Sequence, residues 1–343
     1  MARDTRRAFN ALLDRLEPTV RDAFLAAFDD IRSPARFSAL EAAIERGDIE
    51  GVLQALNLRD EFFAPLDRQI ENAFYQGGVY QLAGLPKKPS SIGGPLVVRF
   101  SQRNPRAESW VRRRSSTLIT EITADQRTGI QRVLQTGLEA GRNPRGVALD
   151  LVGRVARGSN RRTGGLVGLT SGQMGYVDAA RAELRDPDLM RAYFKRSLRD
   201  QRHDRTVLKA LREGRPVSEA DIRKITGRYA DRLLFYRGET IARTETIQAL
   251  NAGRDEAIEQ LIESGEVPRQ AVKHKWSATL DARTRDIHRS MHGQEVIQGQ
   301  PFTSPTGAQL LFPGDTSLGA GGGDTINCRC YAQVSVDWLS LAR

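Results

Sequence analysis

The chain has 343 residues, a mass of 38.1 kDa, a formal net charge of +10 and only two cysteines. No stretch approaches the ~18–20 apolar residues of a membrane-spanning helix, and two cysteines cannot form a disulfide framework, so a reducing compartment is the default setting. The excess of positive charge favours an anionic partner, nucleic acid first, although only seven of the 52 basic residues are lysine and such arginine bias also follows from a GC-rich genome.

The amino-terminal stretch "MARDTRRAFNALLDRLEP" carries charge but no apolar run, so no secretory signal is read in it. Residues 1–85 read as an N-terminal helical region. Within it Phe62, Leu66, Ile70 and Phe74 recur every four residues, the stripe of an amphipathic helix. Residues 86–98, rich in Pro, Gly, Ser and Lys, read as a linker. A helical body is expected over 99–265. Ile119, Ile122, Ile130, Val133 and Leu134 mark a long helix in it that ends near Gly141. The Gly- and Arg-rich segment 153–172 reads as an exposed loop. Helix resumes over ~173–264, with Ser218 and Asp221 as a start signal, and with Pro216 and the glycines at 214, 227 and 238 dividing the run into pieces.

After Pro268 the pattern changes to short apolar runs separated by turns, so residues 266–343 read as a small α+β C-terminal domain. One short helix is expected there, from Asp281 as its cap to His292, with Gly293 as its stop. The fold class is therefore mainly α with a small α+β C-terminal domain, short strands gathering around one helix.

Both cysteines lie in "DTINCRCYAQVSVDW" (324–338). Ile326, Cys328, Cys330, Ala332, Val334 and Val336 alternate with polar residues, which places both thiols on the inner face of a strand as small hydrophobes. A disulfide between them is disfavoured, because residues i and i+2 of a strand lie about 6.6 Å apart while a disulfide needs Cβ atoms about 4 Å apart. Zinc is the sharper alternative: His288, His292, Cys328 and Cys330 would make a Cys₂His₂ set, but structural sites usually space their cysteines by two to four residues. A cysteine nucleophile would need a histidine base and an orienting group brought together in space. His203 and His274 read as surface residues, and Glu239 and Glu245 as solvated helix charges. "GAGGGD" (319–324) lacks the Lys-Ser/Thr of a phosphate loop and reads as a flexible tip. Arg112, Arg113 and Arg114 in "WVRRR" are candidate DNA contacts.

The succession "KWSATLDARTRDIHRSMHGQ", "PF", "GAQLLFPGD", "INCRC" resembles the C-terminal domain of the phage Mu protein F-like family, the minor head or head-morphogenesis proteins. The matching positions are Trp276, Asp281, Arg283, Thr284, Arg285, His288, Gly293, Phe302, Pro313, Gly314, Asp315, Asn327, Cys328, Arg329 and Cys330. "IARTETIQALNAG" (241–253) and "RFSQRNPRAESWVRRR" (99–114) resemble the family's helical part. The resemblance implies a virion component that acts around the portal vertex during head assembly in the bacterial cytoplasm. Its implied partners are portal protein and capsid or scaffold subunits, with double-stranded DNA as a further contact, and it implies no established enzymatic activity and no membrane.

Some branches of the family carry two cysteines in the helix and a histidine three residues before the CRC sequence, which suggests a metal. Those positions are Arg285, His288 and Thr325 here, so no metal or other cofactor is expected. The motif reads instead as a fold-locking network, in which Arg283, Arg285 and Arg329 pair with Asp281 or Asp315. The alternative is a metal-dependent nucleic-acid-processing enzyme built on His288, Asp315 and the CRC strand.

Overall fold

Helical periodicity shapes most of the chain. The computed structural model describes residues 2–32, 36–85, 88, 98–155, 158 and 161–338. It begins with α1 (Ala2–Ile31), α2 (Phe37–Glu45), α3 (Ile49–Leu56) and α4 (Ala64–Ala83). Leu66, Ile70 and Phe74 are buried along α4 as their spacing requires. Most of the linker expected at 86–98 lies outside the described residues. Next come α5 (Pro105–Glu139) and α6 (Pro144–Val152). The predicted apolar positions of α5 are all buried, and Gly141 follows its end at φ +59°, a left-handed conformation that glycine adopts without strain.

A two-residue hairpin, β1 (Arg154–Val155) with β2 (Arg162–Thr163), leads to α7 (Ser171–Arg185), α8 (Met190–Tyr193) and α9 (Asp204–Arg212). Then α10 runs without a break from Glu219 to Glu263, 45 residues. The expected division of this run at Gly227 and Gly238 is thus incorrect. Glycine inside a helix costs about 1 kcal/mol relative to alanine, and close packing offsets that cost. A Cβ on Gly253 would lie 1.9 Å from the carbonyl oxygen of Phe74, and one on Gly77 would lie 2.1 Å from that of Leu250. These glycines let α4 and α10 cross backbone to backbone.

The carboxyl-terminal part contains β3 (Val272–Ser277), α11 (Asp286–Ser290), β4 (Glu295–Ile297), β5 (Phe302–Thr303), β6 (Gln309–Leu310), α12 (Gly322–Thr325) and β7 (Tyr331–Val336). An antiparallel sheet has the order β4-β3-β7, and β5 pairs with β6. Two boundaries differ from expectation. The helix begins after Arg285 rather than at Asp281, because the Asp281 carboxylate turns back to accept the Arg283 N–H at 3.0 Å. The cysteines precede the last strand rather than lying in it, because α12 and a left-handed residue, Asn327 at φ +54°, occupy the start of the predicted strand.

Two compact units draw on separated stretches of chain. One comprises Met1–Asp22, Leu66–Ser115 and Glu239–Arg343; the other comprises Ala23–Pro65 and Ser116–Gly238. In the second unit part of the segment expected to be an exposed loop is core: residues 165–169 are buried, Leu166, Val167 and Leu169 fully. A buried loop must find a partner for every backbone polar group. Here Leu166 and Val167 donate to the carbonyls of Asp150 and Leu151, each at 2.9 Å. Arg32 donates to Val167 O at 2.9 Å and to Gly165 O at 3.0 Å, Arg237 donates to Gly168 O at 2.8 Å, and the Gly168 N–H reaches Gln126 Oε1 at 2.6 Å. Burial lowers both guanidinium groups to about 10, which still leaves them charged at neutral pH.

Candidate functional site

A set of polar residues of the first unit gathers on the second half of α10. Thr244, Gln248, Asn251, Asp255 and Glu259 follow one another at spacings of three or four, so they form one polar stripe. Each of them holds a segment that would otherwise be loop. Thr244 Oγ1 accepts the N–H of Asn327 at 3.0 Å, Gln248 donates to Thr316 Oγ1 at 3.0 Å, and Asn251 donates to the carbonyl of Pro313 at 3.0 Å. Asp255 and Glu259 both accept from the Gln298 amide, at 2.8 and 2.9 Å.

Arg254 lies beside this stripe and is buried. It donates to Gln81 Oε1 at 3.0 Å, to Asn251 Oδ1 at 2.9 Å and to the carbonyl of Ala332, and its guanidinium lies 4.2 Å from the centre of the Tyr331 ring. Among the described residues no carboxylate forms an ion pair with it, so neutral dipoles and aromatic faces stabilise the charge.

The sheet supplies the opposite wall. β3 alternates Val272, His274 and Trp276 inward with Lys273 and Lys275 outward. His274 is therefore buried, not a surface residue, and the alternation with Val272 and Trp276 was the signal that could have shown it. Burial pushes its imidazole down to about 4. Trp276 is fully buried and meets Phe302 and His288 edge to face, with ring centres 5.1 and 5.9 Å away.

Around Trp276 the structure brings together three of the four weak metal candidates. His288 Nδ1 lies 3.4 Å from Cys330 Sγ and 3.8 Å from Cys328 Sγ, and all three residues are buried. His288 Nε2 is 2.8 Å from the carbonyl oxygen of Asp324; a carbonyl only accepts, so Nε2 carries a proton, and Nδ1 faces the two sulfurs. The Cys328 thiol hydrogen-bonds toward Cys330, which lowers Cys330 and raises Cys328. His292 stands apart, its Nδ1 accepting the Ala278 N–H at 3.2 Å.

Zinc bonds of about 2.3 Å to sulfur and about 2.0 Å to nitrogen separate neighbouring tetrahedral ligands by roughly 3.5 Å, so these three donors have suitable spacing. A closed structural site needs a fourth ligand. The two further positions hold Thr325, whose hydroxyl donates to Gly321 O at 3.0 Å, and Arg285, a cation whose guanidinium reaches Ile326 O at 2.8 Å. The residues present do not fit a closed structural zinc site; they form a hydrogen-bonded nest of two thiols and an imidazole.

The remaining motif residues close the surrounding turns. Arg329 grips Asp281 with both arms, at 2.7 and 2.6 Å, and Thr284 Oγ1 adds a bond to the same carboxylate at 3.1 Å. These contacts hold Asp281 below the usual carboxylate range, Arg329 first among the causes. Arg283 approaches Asp281 only at 3.8 Å. Asp315 differs from expectation: no arginine pairs with it among the described residues. It accepts the N–H groups of Leu311 and Ser317 at 2.9 and 2.8 Å and so closes the turn in which Gly314 takes φ +90°. Nor does Asp315 belong to the group around His288, which the nuclease alternative requires. The segment read as a flexible tip ends in α12, where Asp324 is buried and accepts from Ser304 Oγ at 2.7 Å and Thr306 Oγ1 at 3.1 Å.

Of the three candidate DNA contacts, Arg112 and Arg113 are exposed, and Arg113 donates to Ser109 Oγ at 2.7 Å. Arg114 is committed to Glu245, with Nε 2.7 Å from Oε2, and is not free to meet phosphate. Glu245, expected to be solvated, is buried by that pair.

Two outcomes are expected from this site. Thiol titration should count two groups only after denaturation, and metal analysis should find no stoichiometric zinc; a zinc retained through dialysis at one per chain would contradict the nest. Asp255 offers a test by pH. Burial raises its carboxyl from 3.8 to about 7, with Glu259, Asp315 and Glu256 adding to the rise and the Gln298 amide opposing it. Between those two values the folded chain binds a proton that the unfolded chain has lost, so this contribution to stability declines as pH rises to about 7. Asp255→Asn should therefore raise the melting temperature at pH 8 and change it little at pH 4; an equal effect at both would contradict the assignment.

Residues 202–333 match the family described as Phage Mu protein F like protein. No curated protein and no solved structure matches the chain. The matched stretch contains α10, β3, β4 and the start of β7, the thiol–imidazole nest and the Arg329–Asp281 pair. Residues 202–333 thus carry a domain similar to the Phage Mu protein F-like family.

Proposed function

We propose that this protein is a minor component of the phage head, acting in head assembly at or near the portal vertex and touching packaged DNA. The match of residues 202–333 carries this reading. The geometry supports an assembly role over catalysis, because the motif side chains spend their hydrogen bonds on one another: Arg329 on Asp281, His288 on Asp324 O and the thiols, Asp315 on its own turn. The chain as a whole carries a net charge of +10, which suits anionic partners such as the phosphate backbone.

Co-expression with the portal and capsid subunits of the same phage tests the proposal. The chain should co-sediment with portal complexes and be found in finished heads, and heads assembled without it should be fewer or should lack packaged DNA. If the chain associates with neither portal nor heads, the reading fails. Metal-dependent cleavage of plasmid DNA that disappears in His288→Ala would replace it with the nuclease alternative.

A further inference from the structure

The second compact unit contains a cleft of about 340 Å³ between the first half of α10 and the β1–β2 hairpin. On the helix side Ala220, Arg223, Lys224, Gly227, Arg228 and Asp231 line it. These positions share one face of the helix, since they recur at steps of three and four. From 220 to 231 that face is about 16 Å long at a helical rise of about 1.5 Å per residue. Arg154 and the backbone of Thr163 and Gly164 complete the opposite wall.

Two glycines and one carboxylate set the depth of the cleft. A Cβ on Gly164 would lie 2.9 Å from the Cα of Gly227, so the hairpin rests directly on the helix backbone. The Gly164 N–H donates to Asp231 Oδ1 at 2.6 Å and fixes it there. That bond occupies the only acid lining the cleft.

The cations on the helix side of the cleft form no close ion pair among the described residues. Arg223, Lys224 and Arg228 are exposed, and among the described residues no carboxylate forms an ion pair with any of them. Of the acids in the first turn of the helix, Glu219 is held by Arg185 at 2.7 Å and Asp221 accepts from Ser218 Oγ at 2.7 Å. Arg154 lies 3.9 Å from Asp150, which Arg142 and Arg181 also hold. Four positive groups therefore face a cleft lined by a single carboxylate, Asp231.

We infer that this cleft binds the phosphate backbone of duplex DNA. The helix cations, from 223 to 228, span about 7.5 Å at a rise of about 1.5 Å per residue, which matches two or three successive phosphates about 3.4 Å apart along the axis on each strand. The floor of glycine backbone offers no apolar or aromatic seat for a peptide side chain, and so favours nucleic acid over an acidic peptide. The inference rests on the DNA contact proposed above and assigns it to the cleft rather than to Arg112 and Arg113.

Binding of the full chain to a short duplex, measured over a salt series, tests the assignment. Arg223→Ser, Lys224→Ser and Arg228→Ser together should lower the slope of log K against log salt by up to about 2.7, at about 0.9 per lost phosphate contact, and reduce affinity at least about tenfold at low salt. Arg223→Lys with Arg228→Lys should keep most of the slope, because phosphate accepts a point charge. Arg112→Ser with Arg113→Ser should keep it as well. If the wild-type chain binds DNA and the triple variant binds it equally, the cleft assignment is overturned while the DNA contact stands. If the wild-type chain binds no DNA, both fall. Loss of binding to an acidic peptide, with DNA binding intact, would overturn the choice of ligand.

Discussion

Burying Arg254 is the constraint on which the first compact unit depends. A guanidinium taken out of water without a carboxylate partner must find acceptors for its N–H groups, or the charge becomes very costly. The chain supplies Gln81 from α4, Asn251 one turn back along α10, and the carbonyl of Ala332 from β7. The last of these fixes where β7 sits on the helix. Because Ala332 faces Trp276 and Val334 faces His274 across the sheet, fixing β7 also fixes β3. Trp276 in turn forms the post beside which His288 and Phe302 pack.

The same logic extends along the stripe from Thr244 to Glu259. Loops rich in glycine and proline bury little apolar surface, so hydrophobic burial alone would hold them weakly. Helix side chains that bond directly to Asn327, Thr316, Pro313 and Gln298 replace that missing burial with directional contacts. The Arg329–Asp281 pair plays a different part. With Asp281 more than a third exposed, solvent screens the charges, and the pair closes a surface turn rather than stabilising a core.

Much of this was legible in the sequence, and the failures have physical causes. Apolar spacing identified α4 and α5, and the change in pattern after Pro268 located the sheet. The burial of both cysteines was foreseen, but through a strand face. Asn327 in a left-handed turn instead brings them together onto His288, and no period in a sequence reports such convergence. Gly227 was read as a break and Gly253 passed over because propensity treats glycine as a cost; only a close-packed partner, invisible in one dimension, reverses that sign. Segment 164–169 reads as loop by composition, and its burial depends on Arg32, Gln126 and Arg237, which lie far away in sequence. Arg254 stood in plain view next to "IARTETIQALNAG", yet a single arginine on a charged helix carries no sign that it is buried.

Native-state hydrogen exchange tests most directly the claim that the α10 stripe holds the carboxyl-terminal loops. The amides of Asn327 and of β7 should exchange in the same opening event as residues 244–259 of α10, with similar protection, and in Arg254→Met both sets should lose protection together. If instead the amides of 326–336 exchange in a separate, earlier event, and Arg254→Met leaves that event unchanged, the loops are held by something other than α10.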